Sequence, residues 1–187
     1  MTDPRLDPIL QSALSRLAGA VSVALDKAAV GLGNRVIGAK GVLERQALMD
    51  AQFDLQRRST QIAQAFSKAI IAVVAKEVSQ GQPDANELAD TDWGSLRLVE
   101  DSEIEMTVAA ARLAASVEAE CGAELRSLQS LFATLRSVAA DDRACPLRPG
   151  IIAEPLIKAL LLPGDKPAVR DLMIEAVSAN LGTALKD

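Results

Sequence analysis

Histidine is missing altogether from this chain of 187 residues, and aromatic side chains make up only 2% of it. Without histidine the chain lacks the commonest general base and the commonest metal ligand. Neither a Ser-His nor a Cys-His nucleophile can form. With one tryptophan, three phenylalanines and no tyrosine, the core must be built from leucine, isoleucine, valine and alanine. Such a core favours closely packed helices over a β-sandwich.

Cysteine is nearly as scarce, since Cys121 and Cys145 are the only two. Two cysteines are too few for a disulfide framework or for a structural zinc site. We expect Cys121 to be a small buried apolar group. Cys145 would gain reactivity only if it were exposed beside Arg143 and Arg148, which favour a thiolate. Since neither standard phosphate-binding glycine motif occurs, the sequence predicts no catalytic residues, no cofactor and no metal site, and hence no enzyme.

Targeting signals are also missing from the sequence. The first residues carry Asp3 and Pro4 rather than a basic stretch before an apolar one, so no secretory signal is expected. No uninterrupted apolar run approaches the roughly 20 residues that a membrane span needs. We therefore expect a cytoplasmic chain of bacterial type without a membrane span.

The composition is that of a globular protein, with 49% hydrophobic and 24% charged residues. The length fits one domain, and we expect a single helical domain over residues 1–187. Residues 1–80 carry ten basic and seven acidic side chains, whereas residues 81–130 carry three and eleven. The ordinary explanation is that the acidic helix lies against the basic one. The net charge of −5 argues against a nucleic-acid partner.

Apolar residues recur at helical spacing along most of the chain. They predict helices at about 6–30 and 40–79, with a stop between them at Gly31-Leu32-Gly33-Asn34. Short apolar and amphipathic helices follow near 151–161 and 169–182, and Gly182 is expected at a fraying end. The fold class is all-α, an irregular bundle of five or six helices, two of them long.

The acidic helix that starts near Ser102 has two interpretations. It is either one long helix with Gly122 inside it or two helices that meet there, and Gly122 is expected to let another helix cross closely. Ser102 and Glu105 have the spacing of a capping box. The carboxylates from Glu100 to Glu105 lie near the positive end of the helix dipole, which explains them better than a metal site does. Before this helix, residues 80–95 are predicted to form a polar loop and Trp93 to anchor the core.

Several segments resemble one bacterial family. The segment from Trp93 to Glu105 resembles its pattern W-x-S-L-x-L-V-D-[DE]-x-E-[LI]-E, and Cys145-Pro146-Leu147-Arg148-Pro149 is similar to its N-P-L-G-P, with cysteine in place of asparagine. Shorter likenesses lie at 52–58, 62–66 and 125–131. The family is the domain of unknown function numbered sixteen thirty-one, and its members are often labelled thymidine phosphorylase. Because members are usually longer, the resemblance implies that this chain is an N-terminal part of the family region.

Three arginines are the candidate contact residues. Arg57 and Arg58 form the basic centre of the second predicted helix, and Arg148 lies in the proline-containing loop before the fourth. The ordinary interpretation is a solvated face on which Asp54 pairs with Arg58, four residues on. The alternative is a contact with an anion or a partner.

Long amphipathic helices, segregated charge and missing catalytic groups favour a protein-interaction or regulatory module. Its partner would be an unknown protein, and self-association stays open. The alternative is a small-molecule sensor whose pocket between helices reads a nucleotide-type anion through Arg57, Arg58 or Arg148. An enzyme that works with carboxylates alone is the third class, which we place last.

Overall fold

The computed structural model describes residues 6–79, 101–136, 145–161 and 166–186. The secondary structure in those ranges is helical, so the all-α prediction is confirmed. Three helices rather than two are long, and the acidic one consists of two helical segments that meet at a kink at Cys121, next to Gly122. The elements are, in order, α1 (Leu6–Gly38), α2 (Val42–Ser79), α3 (Asp101–Arg136), α4 (Pro149–Leu160) and α5 (Pro167–Lys186).

The five helices pack in three layers. α1 and α2 form a hairpin on one side, α3 lies on the other, and α4 and α5 pack against both. α4 runs antiparallel to α2, since Arg58 reaches its C-terminal end at Leu160 while Glu77 reaches Arg148 before its first residue. The expectation that the acidic helix lies against the basic one is therefore wrong: α3 packs mainly on the two inner helices.

One apolar core connects all five helices, and it is aliphatic, as the composition predicted. Both Phe66 on α2 and Phe132 on α3 are fully buried in it. Most of the other large side chains that are fully buried are leucine and isoleucine, which repeat at helical spacing. They include Leu25, Leu32, Leu48, Leu55, Ile62, Ile70, Leu113, Leu156 and Ile157.

The predicted helix stop at residues 31–34 is wrong, because α1 continues to Gly38. A glycine inside a helix costs about 1 kcal/mol relative to alanine. The buried side chain of Leu32 lies within this stretch and contributes to the core. Gly33 also faces α2, where a β-carbon would lie 2.8 Å from the side-chain nitrogen of Gln52. Packing of the hairpin thus keeps these residues helical, although their glycine-rich sequence predicts a helix end.

The close helix crossing lies at Gly182, not at Gly122 as predicted. A β-carbon on Gly182 would lie 2.9 Å from the β-carbon of Glu120, whereas one on Gly122 would meet only Arg126 at 3.8 Å. α3 bends at this crossing, because Cys121 has non-helical angles of φ −109° and ψ 20°. The predicted fraying at Gly182 is wrong as well, since Gly182 is buried and α5 continues to Lys186.

Some predictions fall outside the described residues. Trp93, the polar loop at 80–95 and Arg143 lie in ranges that the structure does not describe, and so do the side chains of residues 101–103. The capping box and the acidic cluster therefore stay predictions, although α3 begins at Asp101, close to the expected start.

α1 is the one helix in the described ranges that is long and apolar enough to cross a membrane, over Pro8–Gly38. The sequence-based expectation that no segment spans a membrane rested only on the length of uninterrupted apolar runs. By length and composition α1 qualifies, and the core helix of a bundle passes the same test. α1 packs against α2 and α5 through buried Val21 and Leu25, and 28% of its apolar window is buried.

Candidate interaction site

Arg57 lies on the solvent side of α2. Its guanidinium donates a hydrogen bond to Asp54, with 3.3 Å between Nη2 and Oδ1. The side chain is largely exposed. Asp54 thus forms an ion pair with Arg57, the residue before its predicted partner Arg58.

Arg58 is buried, so the interpretation of a solvated face is wrong for this residue. Its Nη2 donates to the carbonyl oxygen of Leu160 at 2.7 Å, at the last residue of α4. A cation is favourable at a helix C-terminus, where the final carbonyls lack helical partners. The sequence does contain a pattern that predicts burial of Arg58. This residue lies three residues after Leu55 and four before Ile62, on the buried stripe of α2.

Arg148 lies at the other end of α4. Its Nη1 donates to Glu77 on α2 at 2.6 Å, and both side chains are about three-quarters buried. α4 has 12 residues, which at 1.5 Å per residue gives about 18 Å between its ends. The structure thus brings Arg148 and Arg58 to opposite ends of one helix and leaves Arg57 on the surface.

Both cysteines are buried, and neither forms a disulfide bond. The exposure that a reactive Cys145 would need is not found. The Cys121 thiol donates to the carbonyl oxygen of Gly182 at 3.4 Å, and burial raises the pKa of this thiol above its ordinary value. Within the described residues, no three acidic or cysteine side chains are grouped so as to hold a metal ion.

A groove of about 730 Å³ runs between α3 and α5, and sequence reasoning missed it. The two helices run parallel, because Glu105 meets Arg170 near their starts and Cys121 meets Gly182 further along. Each wall is a stripe at helical spacing. The α3 wall consists of Ile104, Glu105, Val108, Ala109 and Arg112, and the α5 wall of Pro167, Arg170, Asp171, Ile174, Glu175 and Ser178.

Partly exposed apolar side chains line the groove. Ile104 and Val108, one helical turn apart on α3, are about half exposed. Ile174 on α5 lines the groove with them and is partly buried. The sequence pattern showed that Ile104 and Val108 share a helix face, but not which helix that face would meet.

Charged groups border this apolar strip. Arg170 donates through Nη2 to Glu105 at 2.8 Å. Its Nε is buried and has no hydrogen-bond acceptor among the described residues. A buried donor without a partner costs about 1–3 kcal/mol, so the packing of Arg170 carries a local cost. Arg112 adds a second, exposed cation to the same groove.

Comparison with known proteins gives a family and no function. A family model described as "Protein of unknown function (DUF1631) N-terminal domain" matches residues 5–185. This confirms the resemblance seen in the motif that begins at Trp93 and in the shorter segments. No curated protein and no solved structure matches the chain.

Proposed function

Since the chain belongs to the DUF1631 family, whose description assigns no function, we propose its role from its own surface: it is a protein-interaction module of the cytoplasm. It holds an amphipathic helix of a partner protein in the groove between α3 and α5. The observation that carries this proposal is the apolar strip formed by Ile104, Val108 and Ile174 between two parallel helices. An amphipathic helix that lays its apolar face into such a groove is a recurrent mode of recognition.

The length of the groove supports a helical occupant. On α5 it extends from Pro167 to Ser178, which corresponds to roughly 17 Å along the helix. About three turns of a partner helix match that length, and three turns present apolar anchors at i, i+4 and i+7.

Charged side chains of both signs line the groove, where Glu105, Asp171 and Glu175 lie beside Arg112 and Arg170. Arg170 already pairs with Glu105, whereas Arg112 is exposed. Hydrogen bonds from arginine to carboxylate are stronger than neutral ones. We therefore propose a partner helix that carries, beside its apolar face, a carboxylate that reaches Arg112.

A protein partner fits this groove better than a small molecule does. Sites for small molecules bury most of the ligand surface, whereas this groove is open along one side. The alternative sensor was to read an anion through Arg57, Arg58 or Arg148, and those arginines lie apart and are engaged with α2 and α4. The absence of histidine from the sequence supports a role without catalysis.

Photo-crosslinking in the host cell tests the groove directly. A benzophenone amino acid replaces Val108, which is 43% exposed, and in the matched control it replaces Val23 on α1, which is 45% exposed. We expect one protein to be captured from position 108 and not from position 23. Mass spectrometry of the crosslinked peptide identifies the partner segment, which should be amphipathic and carry a carboxylate beside its apolar face.

Purified partner segment then provides the quantitative test. Ile104→Asp and Val108→Asp should each weaken its binding by roughly tenfold or more, because an aspartate places a charge in the apolar strip. Val23→Asp should leave the affinity unchanged. Capture of the same proteins from both positions, or equal affinities for the groove variants and the control, would refute the groove as the site.

A further inference from the structure

The end of the α1–α2 hairpin exposes apolar side chains more fully than the rest of the described surface does. Ile37, Val42 and Leu43 are between 81% and 86% exposed, and no other large hydrophobic residue described exceeds Val30 at 61%. We name residues 34–46 the hairpin tip. A single exposed leucine is normal on a protein surface, but three large exposed apolar side chains within seven residues form a cluster that needs an explanation.

Basic residues outnumber acidic ones at the hairpin tip. It contains Arg35, Lys40 and Arg45 and a single acidic residue, Glu44, and Arg35 pairs with Glu175 of α5 at 3.2 Å. Lys40 lies in the connection between the two helices and is exposed. Arg45 donates to the carbonyl oxygen of Ala39 at 3.0 Å, which holds its charge at the connection. The tip is thus positively charged, whereas the whole chain carries −5.

We propose that the hairpin tip inserts into the surface of a membrane that contains anionic lipids. Ile37, Val42 and Leu43 enter the boundary between headgroups and acyl chains, while Lys40 and Arg45 stay at the level of the phosphates. Apolar insertion together with basic residues is the combination that gives stable peripheral binding. The acidic remainder of the molecule is repelled by the same surface. The positive tip and the negative remainder therefore orient the protein with its tip toward the membrane.

The shape of the tip selects this occupant over a protein. The apolar side chains project from the end of a hairpin, where a protein partner would need a matching hollow, whereas a bilayer yields around them. α1 does not cross the membrane in this arrangement. Its Val21, Leu25 and Leu32 are fully buried among the other helices, so this face of α1 is not available to lipid.

Flotation with vesicles tests the proposal on the whole chain. We expect the protein to float with vesicles of phosphatidylcholine and about 30% phosphatidylglycerol, and not with phosphatidylcholine alone. Raising NaCl from about 0.1 M to about 0.5 M should release most of it, because salt screens the basic residues.

Two triple variants separate the tip from general surface hydrophobicity. Ile37→Ser/Val42→Ser/Leu43→Ser should lower the bound fraction on anionic vesicles by roughly tenfold or more. The control, Phe53→Ser/Ile71→Ser/Leu131→Ser, removes three other exposed apolar residues and should bind as the parent does. Lys40→Glu should weaken binding without changing the helical circular dichroism, because Lys40 is exposed outside the helices.

A labelled cysteine reports where the tip lies. Leu43→Cys accepts a polarity-sensitive dye in preference to the buried Cys121 and Cys145. Its emission should shift to the blue on anionic vesicles, while the same dye at Val23→Cys should not shift. The proposal is overturned by failure of the parent to float, by equal binding to uncharged vesicles, by equal loss in the control triple, or by an unshifted dye at position 43.

Discussion

Arg58 shows how one side chain joins two layers of the bundle. It leaves the apolar stripe of α2 and donates to the terminal carbonyl of α4. Its neighbour Arg57 carries the same charge and makes only a surface pair with Asp54. The two adjacent arginines therefore form a matched pair for experiment, since they differ in burial and not in chemistry.

Arg58→Met should lower the free energy of unfolding by about 1.5–3 kcal/mol, because the Leu160 carbonyl loses a charged donor. Methionine keeps much of the apolar part of the arginine side chain, so the loss of stability reports mainly the missing guanidinium group. Arg57→Met should change the value by less than about 0.5 kcal/mol, as exposed pairs contribute little. Urea unfolding followed by circular dichroism measures both, and equal losses in the two variants would contradict the role of Arg58.

At the scale of helices, glycines decide how closely α3 and α5 approach. Gly182 lies on α5 where Glu120 and Cys121 of α3 come nearest, and the bend of α3 falls at the same place. Gly19 on α1, in contrast, would place a β-carbon in open space.

Gly182→Ala should destabilise the protein by about 1–3 kcal/mol, because its β-carbon would overlap Glu120 and force the helices apart. The gain in helix propensity offsets at most about 1 kcal/mol of this. Gly19→Ala gains helix propensity without a steric clash and should raise the free energy of unfolding by up to about 1 kcal/mol. Thermal unfolding shows whether each variant is stabilised or destabilised. A stabilising Gly182→Ala would show that the helices cross less closely than described.

Much of the helix pattern could be predicted from the sequence, because apolar spacing reports directly which face is buried. It gave the existence of each helix, the range of α2 to within two residues, and the aliphatic core. It failed where a helix meets another helix. Gly31 and Gly33 signal an end locally, yet the hairpin holds them in α1. Likewise, the sequence gives no reason to expect a close helix crossing at Gly182 rather than at Gly122. Only the packing of α3 on α5 shows that the crossing is at Gly182.

The candidate site was harder to predict for the same reason. The sequence singled out Arg57, Arg58 and Arg148 by charge, but their partners lie from 3 to 102 residues away along the chain. The groove combines a face of α3 with a face of α5, and neither face is unusual alone. A surface built by two helices that are distant in sequence is visible only after the fold is known.

At the scale of the molecule, the inner layer of α4 and α5 holds the outer helices together. The hairpin packs on this layer from one side and α3 from the other. Leu156, fully buried on α4, belongs to the core that all three layers share. The hairpin tip belongs to one outer layer, whereas the groove is formed by the other outer layer, α3, together with α5 of the inner layer. The relative position of the tip and the groove therefore depends on the inner layer.

Leu156→Ala should lower the free energy of unfolding by about 2–5 kcal/mol, through lost apolar contact and the cavity left behind. Because both outer layers depend on α4, hydrogen exchange should show the protection of α2 and α3 falling by similar amounts. Leu131→Ala, at a half-exposed position on α3, should cost less than about 1 kcal/mol. If α3 lost protection while α2 kept it, the layers would be separate folding units, and the interaction groove could open without disturbing the hairpin.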